Sequence, residues 1–275
     1  RWTLVLEQFL TYLTGFVLAM IGLGFLLLHR EAKNWRIVGW TALFVFTVLF
    51  YLKGKSYYTA GIYPVLMAAG SVFLEKIIRT KVPQLALISL FFAIAIPILP
   101  FGIPTMPPHK LAAYFDQMEA WGIDAGRIHE DGEKHALPQD YADMIGWDEI
   151  VAHVKTAWDM VEDKESCLIF GEGYWEAGAV TVMGDELGLP EARSFAGSFA
   201  YWVPRSYEPD IQSFIYINDG ISERLRGEFD DITEIGRITN PIAREYGTQI
   251  YLCQKPKRSF NAFWAEVLAR VEADE

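Results

Sequence analysis

The run Phe9-Leu-Thr-Tyr-Leu-Thr-Gly-Phe-Val-Leu-Ala-Met-Ile-Gly-Leu-Gly-Phe-Leu-Leu-Leu28 holds twenty residues without a charge. At about 1.5 Å per helical residue, that is enough to cross a hydrocarbon layer about 30 Å thick. Three more uncharged runs follow: Ile37 to Leu52, Tyr58 to Leu74 and Leu85 to Ile103. The two middle runs are short for a crossing. Trp35, Trp40, Tyr51 and Tyr57 lie where interfacial aromatics extend such spans. Four runs joined by short charged loops read as a membrane helical region over residues 1–105, not as the buried helices of a soluble protein.

Charge divides the chain in the same place. Residues 1–110 carry 10 Lys and Arg against 3 Asp and Glu, and residues 111–275 carry 14 against 32. The halves are therefore +7 and −18, and they sum to the chain's −11. A domain this acidic lacks the basic footprint that nucleic acid requires, so no nucleic-acid partner is expected. Residues 106–275 read as a separate soluble domain. Orientation follows from the loops. Arg30, Lys33, Arg36, Lys76, Arg79 and Lys81 fall on one side, against Arg1, Lys53, Lys55 and Lys110 on the other. The larger basic set belongs in the cytoplasm, which puts the acidic domain outside it. Lys53 and Lys55 then stand at the outer surface, where an anion would meet them.

The soluble half alternates strand and helix. Trp147 to Val161 carries Ile150, Val151, Val154, Trp158 and Val161 at helical spacing, with Asp148 and Glu149 in the first turn, where the helix dipole favours negative charge. Ser166 to Gly171 is a strand, Tyr174 to Leu187 a helix stopped by Gly188, and Phe214 to Ile217 a strand. A short helix near Ile221 to Phe229, strands at Ile232 to Ile238 and Gln249 to Cys253, and a helix from Phe260 to Val271 complete the order. The pattern predicts an α/β domain with a largely parallel sheet. Cys167 and Cys253 lie in apolar strands and read as buried thiols. Gly171-Glu172-Gly173 before a helix is a partial nucleotide-binding turn, but Glu172 and Glu176 would repel an anion. His129 and His135 fall in a Gly-rich, charged stretch that reads as surface loop, so no metal is expected. Asp140, Asp143 and Asp148 read as turn and cap residues rather than catalytic acids.

Two strings carry a resemblance. Lys53-Gly-Lys-Ser-Tyr57-Tyr58, followed by Tyr63-Pro64 and a small-residue helix ending near Glu75, resembles a signature of glycosyltransferase family 39. Leu137-Pro-Gln-Asp-Tyr-Ala-Asp143-Met-Ile-Gly146-Trp147-Asp-Glu149 resembles a string in the tail of its bacterial members, and so does Glu176-Ala-Gly-Ala179. Relatives commonly show Gly-His-Asn where this chain has Gly197-Ser198-Phe199, so contacts made there by His and Asn do not carry over. The family comprises polytopic enzymes that move a sugar from a polyprenyl-phosphate carrier to an acceptor outside the cytoplasm. The resemblance implies a multi-pass protein of the inner, cytoplasmic membrane, with a polyprenyl-phosphate-linked sugar, membrane lipid and a glycan, lipid or protein acceptor as partners, and no cofactor.

Lys55, Tyr57 and Tyr58 are the expected lipid-phosphate ligands, because ammonium and phenol groups both donate to phosphate oxygens. An ordinary aromatic belt with a snorkelling lysine is the alternative. The family's catalytic acid lies in an earlier external loop. No residue here matches it, so none is assigned as catalytic, and the chain reads as the C-terminal half of such an enzyme. The rival reading is a non-enzymatic, membrane-anchored α/β binding module.

Overall fold

In the computed structural model, the described residues are 8–9, 11–123 and 126–274. Arg1, counted above among the outer charges, and Leu10 of the first apolar run lie outside them. The chain divides into two compact units between Thr105 and Met106.

The first unit contains α1 (Thr14–Leu28), α2 (Arg36–Leu52), α3 (Tyr63–Ile77) and α4 (Lys81–Ala95). With the 3-10 turns that extend them, three helical stretches are long and apolar enough to cross a membrane: Arg30–Leu52, Tyr57–Ile77 and Lys81–Phe101. The first run behaves differently. Leu13 takes φ +42° and ψ −112°, outside the helical conformation, which breaks the helix, and α1 is left with 15 residues. Composition shows no sign of this break, because Leu13 is as apolar as its neighbours.

Helices α1 and α3 touch backbone to backbone. A Cβ built on Gly22 would lie 1.8 Å from the Leu66 carbonyl oxygen, and one on Gly70 would lie 2.2 Å from that of Leu18. Small residues at a crossing allow this approach where lipid gives helices no hydrophobic reason to associate. The pair is tied at each end. Thr59 Oγ1 donates to Gln8 Oε1 and Tyr63 stacks on Tyr12 at 3.6 Å. At the other end Lys76 pairs with Glu31.

The second unit begins with α5 (Pro108–Ala120), a one-turn α6 (Gln139–Ala142) and α7 (Trp147–Met160). Then come β1 (Cys167–Gly171), α8 (Tyr174–Met183), β2 (Ser213–Asn218), α9 (Glu223–Glu228), β3 (Phe229–Arg237), β4 (Gln249–Pro256) and α10 (Phe260–Asp274). The strand order is β1-β2-β4-β3. Alternate residues serve opposite faces of the sheet. Ile169, Ile215, Ile217, Ile250 and Leu252 pack with Ile150, Val154, Ala157, Ala177 and Val180 from α7 and α8. Leu168, Phe170, Phe214, Tyr251 and Cys253 pack with Phe260, Phe263 and Trp264 from α10. Burial on both faces explains the near-continuous apolar runs of β1, β2 and β4, while the edge strand β3 is largely exposed.

The expected largely parallel sheet is corrected. Only β1 and β2 pair in parallel, while β2–β4 and β3–β4 are antiparallel. A parallel neighbour needs a crossover long enough to return the chain to the same end of the sheet. Residues 172–212, which include α8, provide one between β1 and β2. No α-helix lies between Arg237 and Gln249, and Gly247 N–H bonds the Ile238 carbonyl, so the chain reverses and pairs with itself. The short α9 runs straight into β3.

Both cysteines are free; Cys253 is buried and Cys167 half-buried. Burial holds each thiol up at about 12. Cys167 lies on β1 and Cys253 on β4 with β2 between them. Two strand spacings come to about 9.6 Å, beyond disulfide reach.

Candidate functional site

The loop between α2 and α3 is built by a left-handed stop. Lys53 takes φ +56° after Leu52, and Gly54 N–H donates to the Leu49 carbonyl at 2.8 Å. Lys55 is extended and leads into the 3-10 turn Ser56–Ile62. The inward face of this segment is fixed by Thr59 and Tyr63, both buried. Its outward face presents Lys53, Lys55, Tyr57 and Tyr58, all exposed. The Tyr57 and Tyr58 rings meet edge to face at 4.7 Å, and Lys55 Nζ lies 6.0 Å from the Tyr57 ring centre. The three sequence-predicted residues are therefore brought together on one exposed turn, joined to helices of membrane-crossing length. Ammonium and phenol donors in this arrangement suit a phosphate. The turn's last residues, Gly61 and Ile62, join Ile37, Val38, Val65 and Leu66 in lining an apolar groove between α2 and α3.

In the tail, the string Leu137 to Glu149 has structural work. Gly146 takes φ +99°, and a Cβ there would press on Ala243 and Ile238 at 3.2 Å. Trp147 Nε1 donates to the Asp143 carbonyl at 2.6 Å. Glu149 accepts from both Thr239 N–H and Thr239 Oγ1 at 2.7 Å, and the backbone donor holds its carboxyl below the usual range. Asp143 faces Arg244 at 3.5 Å. The Glu149 and Asp143 contacts fasten α7 and the turn before it to the β3–β4 connection.

The turn after β1 is filled by its own chain. Glu176 Oε2 accepts from Gly173 N–H at 2.8 Å, occupying the helix N-terminus where a phosphate would sit. Glu176 is buried, and burial pushes its carboxyl up to about 8. Beside it, Asn218 Nδ2 donates to Tyr216 Oη at 2.8 Å, which donates to Glu172 Oε2 at 2.7 Å. Thr248 Oγ1 donates to Asp219 Oδ1 at 2.8 Å, and burial raises the Glu245 carboxyl. This carboxylate-rich chain at the C-terminal ends of the parallel strands was missed from sequence. Only the strand alignment, Phe170 opposite Tyr216, brings Glu172 and Tyr216 to the same end. Tyr174, Trp175, Tyr201 and Trp202 expose their rings close by, with Gly197 against Tyr174.

Glu176 sets a pH prediction. Its folded value lies above the ordinary 4.5, so the native state holds a proton that the unfolded chain releases. Its contribution is fully present below about pH 4.5 and is lost as pH rises through about 8. Glu176→Gln keeps the acceptor for Gly173 without the ionisation. The variant should be more stable than wild type at pH 8.5, by on the order of 2–4 kcal/mol, and nearly equal to it at pH 4.5. Denaturant melts of the tail signal at both pH values read the difference. Equal offsets at the two would remove Glu176 as the source.

His129 and His135, read as surface loop, lie together in a small hairpin. Their rings stack at 3.8 Å, and His135 Nε2 meets Asp131 Oδ2 at 2.8 Å. His153 instead packs its ring against Gly236. No family model, curated protein or solved structure matches this chain.

Proposed function

We propose that the chain is part of a membrane glycosyltransferase of the family 39 kind, which takes a sugar from a polyprenyl-phosphate carrier and passes it to an acceptor outside the cytoplasm. The observation that carries this reading is the turn Lys53–Tyr58, where two ammonium groups and two phenols face outward between membrane-length helices. An apolar groove opens at the end of the same turn, so a phosphate at Lys55 would leave its isoprenoid chain beside α2 and α3. Counted with α1, the helices make four crossings. The Lys53–Tyr58 turn and the acidic tail then lie on one side, outside the cytoplasm, and the protein resides in the inner membrane. In this reading the tail helps hold the acceptor. No catalytic residue is assigned in this chain.

The test is sugar transfer by the full-length protein from a polyprenyl-phosphate-linked donor. Tyr57→Phe/Tyr58→Phe removes two hydroxyls and leaves the rings. It should raise the donor KM on the order of 100-fold or more, as expected for two hydrogen bonds to a charged group at about 1.5 kcal/mol or more each. Donor kinetics unchanged by the double substitution would count against the reading and in favour of an anchored binding module.

A further inference from the structure

We propose that His129, Asp131 and His135 form a binding site for a divalent transition metal ion of the zinc class. The site stands apart from the transferase reading and depends on the hairpin alone. Ile128 and Lys134 form an antiparallel bridge, His129 N–H donates to the Glu133 carbonyl at 3.0 Å, and His135 N–H donates to that of Arg127 at 2.9 Å. Gly132, at φ +82°, makes the reversal. These constraints bring one ligand atom from each of the three side chains within 4.8 Å of the others. Ligand atoms around a four-coordinate zinc lie about 3.3 Å apart, given bonds of about 2.0 Å. Closure then needs side-chain rotation and no refolding.

The hydrogen bonds orient the donors. His129 Nε2 lies 3.0 Å from the Leu137 carbonyl, which can only accept. Nε2 therefore carries the proton, and Nδ1 keeps the lone pair. A ligating histidine commonly has its other nitrogen tied in this way. Asp131 Oδ1 accepts from Glu133 N–H at 2.8 Å, which leaves Oδ2 turned toward His135 Nε2. The ion takes the place of the His135 Nε2 proton facing Asp131, and that proton passes to Nδ1 of the same ring, so that neutral imidazole and ionised carboxylate are the ligands.

The scaffold is fixed before any ion arrives. Arg127, 3% exposed at its side chain, pairs with Asp116 at 2.7 Å and with Glu119, both on α5. Glu130 N–H donates to Gln139 Oε1 at 2.8 Å. Two imidazole nitrogens and one carboxylate oxygen suit zinc and its first-row neighbours, whereas magnesium and calcium favour oxygen alone. Three protein ligands leave a fourth position for water or an incoming ligand.

The test is zinc titration of the metal-stripped, untagged full chain in detergent, by calorimetry, with magnesium as the comparison ion. Wild type and His109→Ala, whose histidine lies elsewhere on the surface, should each bind one zinc and no magnesium. His135→Ala and Asp131→Asn change exposed side chains and should weaken zinc at least about tenfold. Wild-type protein that takes up no zinc, or variants that bind it as tightly as wild type, would overturn the site. Circular dichroism of each variant separates loss of the ligand from loss of the fold.

Discussion

Gly22→Val should dismantle the membrane unit. The Cβ it introduces would lie 1.8 Å from the Leu66 carbonyl oxygen and 2.7 Å from Gly70 N. Both obstacles are backbone, so no rotamer relieves them and α1 must withdraw from α3. Overpacking against side chains typically costs about 1–3 kcal/mol. Against backbone the cost belongs at or above the top of that range, because the whole α1–α3 contact is lost with it. Gly24 supplies the control, since nothing lies within 4 Å of a Cβ placed there. Thermal melts in detergent should show Gly22→Val destabilised by about 3 kcal/mol or more, with Gly24→Ala at or above wild type. A Gly22→Val variant as stable as wild type would mean that the two helices do not cross at these glycines.

The second large effect concerns Lys55. If its ammonium holds the carrier phosphate, Lys55→Ala removes a charge-assisted hydrogen bond worth about 1.5–3 kcal/mol. A fluorescence titration with a short-chain polyprenyl phosphate should then show affinity falling about 10- to 150-fold. Lys55→Arg should recover most of the loss, because a guanidinium also donates to phosphate. A snorkelling lysine behaves differently. Its removal would change little, as expected of an exposed charge without a defined partner.

Much of this architecture is legible in the sequence, because composition reports burial directly. The uncharged runs mark helices, and the alternation of Leu168, Ile169 and Phe170 marks a strand buried on both faces. The helix from Trp147 follows from the spacing of Ile150, Val151 and Val154, whereas the helix from Tyr174 ends at Met183, short of the expected Leu187, and Gly188 at φ +72° closes a separate 3-10 turn, Asp185–Leu187. What stays illegible depends on geometry between distant segments. The antiparallel insertion of β4 between β2 and β3 leaves no trace in residue type, because β1, β2 and β4 are alike in their apolar centres. The break at Leu13 is conformational.

The candidate site divides along the same line. Lys55, Tyr57 and Tyr58 are close in sequence, so any local turn brings them near one another. Glu172 and Tyr216 meet through strand pairing. His129, Asp131 and His135 meet because a hairpin folds at Gly132, and reading the two histidines without the intervening aspartate concealed the group.

The most direct test of the central claim is native mass spectrometry of the detergent-solubilised full-length protein, with and without Lys55→Ala. The account predicts a polyprenyl phosphate retained by wild type and lost from the variant. No such lipid on wild type, or equal retention by both, would contradict it.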